Sequence, residues 1–291
     1  MVDYNKPATT YDEQIELLKK RNLVIEDENT AKKYLKSIGY FRLSGYWLTL
    51  CKSKDNFKNG ASFNQIINIY DTDAELKKLL FGLLEDIEIN YRTIISHAFA
   101  FHYSPVDHYN KQNFVKEDWY DRWAATFEES VKRAIKRNEL FVKHYNQKYE
   151  KIFPIWTALE MSSFGDLSKF YNNLKPDMKK IIAKETIGFS SIYLENWLYV
   201  LSVIRNMCGH NSRLYDRRLN IKPKLTKKEI TKISNSSLFS VLVICRKVSL
   251  QEGSWQSFYE NILRIRNENR DGIDWKLYGF PENWKEYLSD E

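Results

Sequence analysis

The segment from Phe63 to about Tyr103 constrains the fold most strongly, because it contains no proline and only one glycine, Gly82. Its aliphatic residues recur at the spacing of one helix face, which predicts one or two long helices ending at Pro105. The whole chain holds six prolines and ten glycines, so few breaks separate its segments rich in Leu, Ile, Lys and Glu. We therefore predict an all-α bundle that forms a single domain over residues 1–291.

Periodicity and capping residues predict further helices. Thr10 followed by Glu13 indicates a capping box at the start of the first one. In residues 38–47, Gly39 and Gly45 bracket an aromatic cluster, interpreted as a packed helix connection within an N-terminal helical cap over residues 1–60. The remaining helices are expected at about 11–21, 28–36, 117–150, 154–174 with Gly165 as a break, 176–186, 190–217 and 227–250, and in a short last helix opened by Pro281.

The charge and the aromatic content both suit an RNA partner. The formal net charge is +7, and the chain carries 19 Tyr, 16 Phe and 8 Trp. Lys and Arg attract phosphates, and unpaired bases stack on aromatic rings. The basic run at 132–149 is nevertheless interpreted as a solvated helix face rather than a dedicated RNA groove.

Other classes of protein are disfavoured by what the sequence lacks. No apolar run reaches the roughly twenty residues of a membrane span, and the first residues form no hydrophobic signal core, so a cytoplasmic protein with no membrane partner is expected.

The three cysteines are widely spaced. Although His97, His102 and His108 are near one another, no Cys or carboxylate spacing completes a metal site, so neither metal nor cofactor is expected.

The segment 190–217 separates into two stripes when it is projected as one helix. The apolar stripe consists of Leu194, Trp197, Leu198, Leu201, Ile204 and Cys208. The opposite, polar stripe consists of Asn206, His210, Arg213 and Arg217. An imidazole beside an amide and two guanidiniums is suited to binding a phosphate and transferring a proton.

Arg205 falls inside the apolar stripe, where an unpaired cation would be costly. Either a buried carboxylate such as Glu195 or Glu160 pairs with it, or the stripe faces a second chain and Arg205 lines a polar pocket there. In a regular helix Arg205 and His210 point about 140° apart, so one straight helix cannot direct both at one phosphate. A bend at Gly209 or a second copy of the chain would be needed.

Residues 205–210, R-N-M-C-G-H, match the Arg-x-x-x-x-His signature of HEPN ribonucleases, with Asn after the Arg. N-S-R-L-Y-D-R follows directly, Y-L-K-S-I-G-Y-F-R-L-S-G-Y-W occupies 34–47, and Y-G-F-P-E-N-W occupies 278–284. With these three blocks in order, the chain resembles the bacterial Abi family of AbiD/AbiF-like abortive-infection proteins. The resemblance spans nearly the whole chain.

This resemblance implies a HEPN-like helical bundle with additional N-terminal and C-terminal helices. It implies a homodimeric RNA endonuclease that acts in phage defence, or as a toxin restrained by a structured RNA or a protein antitoxin. Arg205 and His210 match the catalytic positions, and Asn206 matches the polar residue after the Arg. His210 would act as general base or acid and Arg205 would stabilise the phosphorane charge, with no metal, leaving 2′,3′-cyclic phosphate and 5′-hydroxyl ends.

A second Arg-x-x-x-x-His, R-T-I-I-S-H, spans Arg92 to His97. Two such signatures in one chain would allow an internal site without a partner. A structural role is favoured, because Arg92 follows Glu88 by four residues, the spacing of an ion pair on a helix surface, and Thr93 replaces the Asn.

Other hypotheses explain the same residues without catalysis. If the family resemblance is set aside, the signature needs no catalysis. Arg205 would form an ion pair, and His210 would cap a helix near Gly209. A non-catalytic RNA-binding protein would hold a structured regulatory RNA through Arg213 and Arg217. A protein-interaction scaffold would use the helical surface as a dimer interface.

Overall fold

The computed structural model describes residues 7–269 and 272–289. Within these ranges the chain forms fourteen α-helices and one short β-hairpin, so the predicted all-α class is confirmed. The helices are α1 Tyr11–Lys20, α2 Glu28–Ser37, α3 Tyr40–Trp47, α4 Phe63–His102, α5 Glu117–Lys136, α6 Leu140–Lys148, α7 Ile155–Glu160, α8 Phe164–Asn173, α9 Pro176–Thr186, α10 Ser191–Gly209, α11 Lys227–Ile230, α12 Leu238–Val248, α13 Glu252–Glu268 and α14 Lys285–Leu288. The antiparallel strands are β1 Cys51–Ser53 and β2 Asn56–Phe57.

The central element is α4, a single helix of 40 residues, which is about 60 Å at the usual rise per residue. It begins with a capping box in which Ser62 accepts from the Gln65 N–H and Gln65 accepts from the Ser62 N–H. Helices α3, α7, α8, α9, α10 and α13 all pack against it. Because α4 contacts so many neighbours, it fixes where the ends of the other helices lie.

Several predicted helices are confirmed, including the Thr10 to Glu13 capping box of α1. The single helix predicted at 117–150 is wrong, because the chain breaks between α5 and α6. Asn138 adopts a left-handed conformation with φ of 57°. The Glu139 N–H donates to the Ala134 carbonyl at 3.1 Å, which closes the end of α5.

Other boundaries also differ from the sequence-based expectation. Residues 38–47 contain a helix of their own, α3, rather than only a connection. The element after Pro154 divides at Ser163, which caps α8, and Gly165 lies inside that helix instead of breaking it. Residues 227–250 form two helices, α11 and α12. The last helix begins at Lys285, after Pro281 rather than at it.

Within the described residues, no single helix is long and apolar enough to cross a membrane. Helices α9 and α10 pass that test only as a pair, and they are bent by 78° relative to each other.

Candidate active site

The signature Arg205 to His210 lies at the C-terminal end of α10. All six residues of its predicted apolar stripe are buried, which confirms that face of the projection. The helix ends at Gly209, however, and its polar stripe does not continue. The prediction that Arg213 and Arg217 lie on the same helix as His210 is therefore wrong, because both belong to the loop that follows.

A Schellman motif ends α10. The Asn211 N–H donates to the Cys208 carbonyl at 3.0 Å, and the Ser212 N–H donates to the Met207 carbonyl at 2.8 Å. Asn211 takes the left-handed position with φ of 53°. Only glycine and, less readily, asparagine adopt this conformation at low cost, so local chemistry sets the exit direction of the chain after His210.

Substitution of Asn211 tests this helix end. We expect Asn211→Val to lower the free energy of unfolding by about 1–2 kcal/mol, because a β-branched residue is strained at positive φ. Asn211→Gly should leave stability unchanged or raise it slightly. Urea unfolding of both variants measures the difference, and equal stability of the valine and glycine variants would contradict the assignment.

His210 is the residue that caps this end of α10, and its side chain is exposed. Its backbone N–H donates to the Asn206 carbonyl at 2.9 Å, and Asn206 is exposed as well. The helix runs unbroken through the signature, so no bend at Gly209 turns Arg205 toward His210. The imidazole is open to solvent at the tip of the helix.

Arg205 lies in the groove between α10 and α4 with 34% of its side chain exposed. Its Nε lies 3.6 Å from Oε2 of Glu88, a buried carboxylate of α4. The predicted buried acidic partner of Arg205 is thus confirmed. The two residues that were named for it, Glu195 and Glu160, were wrong. Glu195 pairs with Lys179 at 2.7 Å, and Glu160 lies 3.8 Å from Arg92.

Phe81 of α4 provides the second contact of Arg205. Its ring centre lies 5.3 Å from the guanidinium carbon, within the range of a cation–π interaction. The same ring lies close to Gly209, where an added Cβ would come within 3.3 Å of it. Glycine at 209 therefore lets Phe81 pack beneath both ends of the signature.

Glu88 also binds the arginine of the second signature. Arg92 Nη2 lies 2.6 Å from Glu88 Oε1 and also donates to the Ser162 carbonyl at 3.1 Å. The predicted pair is confirmed, but it is buried rather than on a helix surface, with only 12% of the Arg92 side chain exposed. Burial raises the pKa of Glu88, although both arginines oppose this shift.

The two signature histidines do not meet. His97 lies sixteen residues beyond Phe81 in sequence, which is about 24 Å farther along α4. Because Phe81 packs against Gly209, His210 lies near the other end of that span. His97 instead lines a cleft of about 490 Å³ between α4 and α9 and contacts the ring of Phe101.

The loop after His210 is fixed by Asp73, a residue that the sequence analysis did not single out. Asp73 is completely buried on α4. It accepts hydrogen bonds from the N–H groups of Leu214 at 3.2 Å and Tyr215 at 2.9 Å. It also accepts from the hydroxyl of Tyr46 at 2.8 Å and that of Tyr278 at 3.0 Å.

The three sequence blocks therefore converge on one carboxylate. Tyr46 belongs to block 34–47, Leu214 and Tyr215 to the block after His210, and Tyr278 to block 278–284. The buried ammonium of Lys77 completes the set at 3.2 Å from Asp73. Asp73 and Lys77 occupy positions on the helix face that otherwise carries Ile69, Leu76 and Leu80, and this placement was the signal that could have identified the site.

Neither cysteines nor histidines form a further reactive group. The three cysteines are free, and burial raises the pKa of Cys208 to about 12, so its thiol stays protonated. Within residues 7–269 and 272–289, no group of three His, Cys, Asp or Glu side chains is placed to hold a metal ion.

Comparison with known proteins places the chain in a family. Residues 33–216 match the family model described as Abi-like protein. Curated proteins and solved structures gave no significant match. The matched region contains block 34–47, Asp73, Glu88, the whole signature and the residues after it to Asp216, and it covers more than half of the 291 residues. The chain therefore belongs to the Abi-like protein family.

Proposed function

We propose that this protein is a HEPN-type, metal-independent RNA endonuclease that acts in abortive infection or as the toxin of a toxin–antitoxin pair. The observation that carries the proposal is the accessibility of both signature side chains at one end of α10. His210 is exposed, and Arg205, with 34% of its side chain exposed, contacts Glu88 and Phe81. A side chain that acts on RNA must be reachable from solvent, and both of these side chains are.

In the proposed reaction, His210 takes the proton from a ribose 2′-hydroxyl, and the 2′-oxygen attacks the adjacent phosphorus. The bond from phosphorus to the 5′-oxygen breaks, and that oxygen receives a proton from His210 of the partner subunit. Arg205 stabilises the negative charge that develops on the phosphorane. The products carry a 2′,3′-cyclic phosphate and a 5′-hydroxyl.

The geometry of α10 supports a homodimer. The helix is unbroken to Gly209, and in a regular helix the positions of Arg205 and His210 face different directions. The internal alternative, with Arg92 and His97, would need His97 close to His210, but His97 lies about 24 Å along α4 from Phe81, the residue that packs against Gly209. Two copies that meet at the ends of their α10 helices would bring paired arginines and histidines to one phosphate.

Replacement of His210 tests the catalytic assignment. We expect His210→Ala to lower the rate of RNA cleavage by a factor of about 10² to 10⁴ and to abolish growth inhibition, because it removes the proton-transfer group. His144→Ala, at an exposed histidine of α6, is the matched control and should behave as wild type. Cleavage by wild type should persist in EDTA and yield ends that a polynucleotide kinase phosphorylates directly.

Mixing wild type with an inactive variant tests the paired site. Wild-type protein unfolded and refolded with an excess of His210→Ala protein should form heterodimers that cleave far more slowly than wild type, because each site then lacks one of its two histidines. A measured mass of one chain together with full activity would contradict the dimer and favour the internal pair. Cleavage and growth inhibition retained by His210→Ala would contradict the proposed mechanism itself.

A non-catalytic protein that holds a structured regulatory RNA is the second candidate. The loop after α10 favours it, because Arg213, Arg217 and Arg218 are close together and form no ion pair with a carboxylate of the described residues. In that case Arg213→Glu with Arg217→Glu should abolish RNA binding, whereas His210→Ala should leave every phenotype unchanged.

A further inference from the structure

We propose that Phe41 and Arg42, at the start of α3, form a binding subsite for single-stranded RNA beside His210, in which Phe41 stacks on an unpaired base and Arg42 binds a flanking phosphate. This inference rests on the proposed function, because it concerns the RNA that the same site would bind.

The first observation is the exposure of Phe41. It is 91% exposed, more than any other large hydrophobic side chain of the described residues. Its neighbours in α3, Leu43, Tyr46 and Trp47, are buried, so the helix has a packed side and Phe41 lies outside it. A phenyl ring that contributes nothing to the core is a suitable platform for a base, since every base has an aromatic face.

The second observation places this ring next to the signature. Arg42 Nη1 donates to the carbonyl of Asn211, the residue that follows His210, at 2.8 Å. Since a guanidinium has five N–H donors, this bond leaves others free for a phosphate. Phe41 directly precedes Arg42, so the Cα atoms of the two residues are about 3.8 Å apart, and Phe41 leaves the backbone beside a residue that touches the active-site loop.

The contact between α3 and this loop is fixed at more than one point. Gly45 lies against Arg213, because a Cβ at Gly45 would be 3.5 Å from both Cδ and Nε of that side chain. Tyr46 and the N–H groups of Leu214 and Tyr215 bind the same carboxylate, Asp73. Phe41 and His210 are therefore held in a constant relation by buried contacts.

The charge of the surface matches an RNA strand. Arg42, Arg213, Arg217 and Arg218 form no ion pair with a carboxylate of the described residues. A cationic loop beside a free aromatic ring combines the phosphate contacts and the stacking that single-stranded nucleic acid requires.

The test measures binding of a fluorescein-labelled 12-nucleotide oligo(U) by anisotropy, with His210→Ala as the parent protein to prevent cleavage. Phe41→Ala should weaken binding about tenfold or more, Phe41→Trp should restore it, and Phe41→Leu should not. Arg42→Ala should reduce the slope of log affinity against log salt by about 0.7, the loss of one phosphate contact, whereas Phe41→Ala should leave the slope unchanged. Phe101→Ala, at another exposed phenylalanine, is the control.

Several results would overturn the inference. Binding by Phe41→Ala within twofold of the parent, or by Phe41→Leu at the level of Phe41→Trp, would exclude base stacking. A shift of Phe41→Ala from dimer to monomer would show that this ring belongs to a protein interface instead. If wild type cleaves RNA while Phe41→Ala cleaves equally well, only this inference fails; if the parent binds no RNA and wild type cleaves none, the proposed function fails with it.

Discussion

Replacement of Asp73 by alanine is expected to lower the free energy of unfolding by about 4 kcal/mol or more, the largest effect of any single change considered. The substitution removes the acceptor for two backbone N–H groups and two tyrosine hydroxyls, and it leaves the Lys77 ammonium, 3% exposed, without its partner. Breaking a buried ion pair from one side alone costs about 3–5 kcal/mol. Since domains are stable by only about 5–15 kcal/mol, much of the total stability should be lost.

Chemical denaturation followed by circular dichroism measures this loss. Asp71→Ala, on the same helix but exposed and bonded only to the Tyr34 hydroxyl, is the matched control and should change stability by about 1 kcal/mol or less. Tyr278→Phe removes one hydrogen bond and should cost about 1 kcal/mol. Tyr46→Phe removes two and should cost somewhat more, because the Tyr46 hydroxyl also accepts from Lys77 at 3.4 Å. An Asp73→Ala protein as stable as Asp71→Ala would show that the carboxylate does not hold the three blocks together.

Replacement of Glu88 by alanine should have the second-largest effect, a loss of about 3–5 kcal/mol in the free energy of unfolding. Arg92, only 12% exposed, would keep a buried charge whose nearest remaining carboxylate, that of exposed Glu160, lies 3.8 Å away. Arg205 would lose the contact that holds it in its groove, so RNA cleavage should fall as well. Glu85→Ala, at an exposed residue one turn earlier on α4, should leave both quantities unchanged.

A double substitution separates stability from function at this position. Glu88→Met with Arg92→Met replaces a buried pair with apolar side chains, and such replacements are often neutral for stability. We expect the double variant to recover most of the stability lost in Glu88→Ala, while cleavage stays low because Arg205 remains unpositioned. Full recovery of cleavage in the double variant would contradict a positioning role for Glu88.

The shared carboxylate also explains how both signatures can be retained in one chain. Arg92 and Arg205 meet on Glu88, whereas His97 lies far along α4 from Phe81, the residue that packs against Gly209. Arg92 therefore contributes to the position of Arg205 through Glu88. His97, the histidine of the second signature, is not needed to position Arg205.

The sequence by itself determined the features that depend on neighbouring residues. The length of α4, the capping box of α1 and the buried stripe of α10 follow from hydrophobic period and from caps, which act over one or two helical turns. The three blocks around 34–47, 205–217 and 278–284 were also recognised from the sequence. Their common contact with Asp73 was not.

The tertiary structure alone decided how the loop after α10 is held, which acid binds Arg205 and why the three blocks belong together. A local Schellman motif ends α10, but the N–H groups of Leu214 and Tyr215 beyond it are satisfied by Asp73 on another helix. Glu88 is more than a hundred residues from Arg205 in sequence, and their pairing depends on how α4 and α10 pack. Contacts between distant residues are set by packing geometry, which local periodicity does not encode.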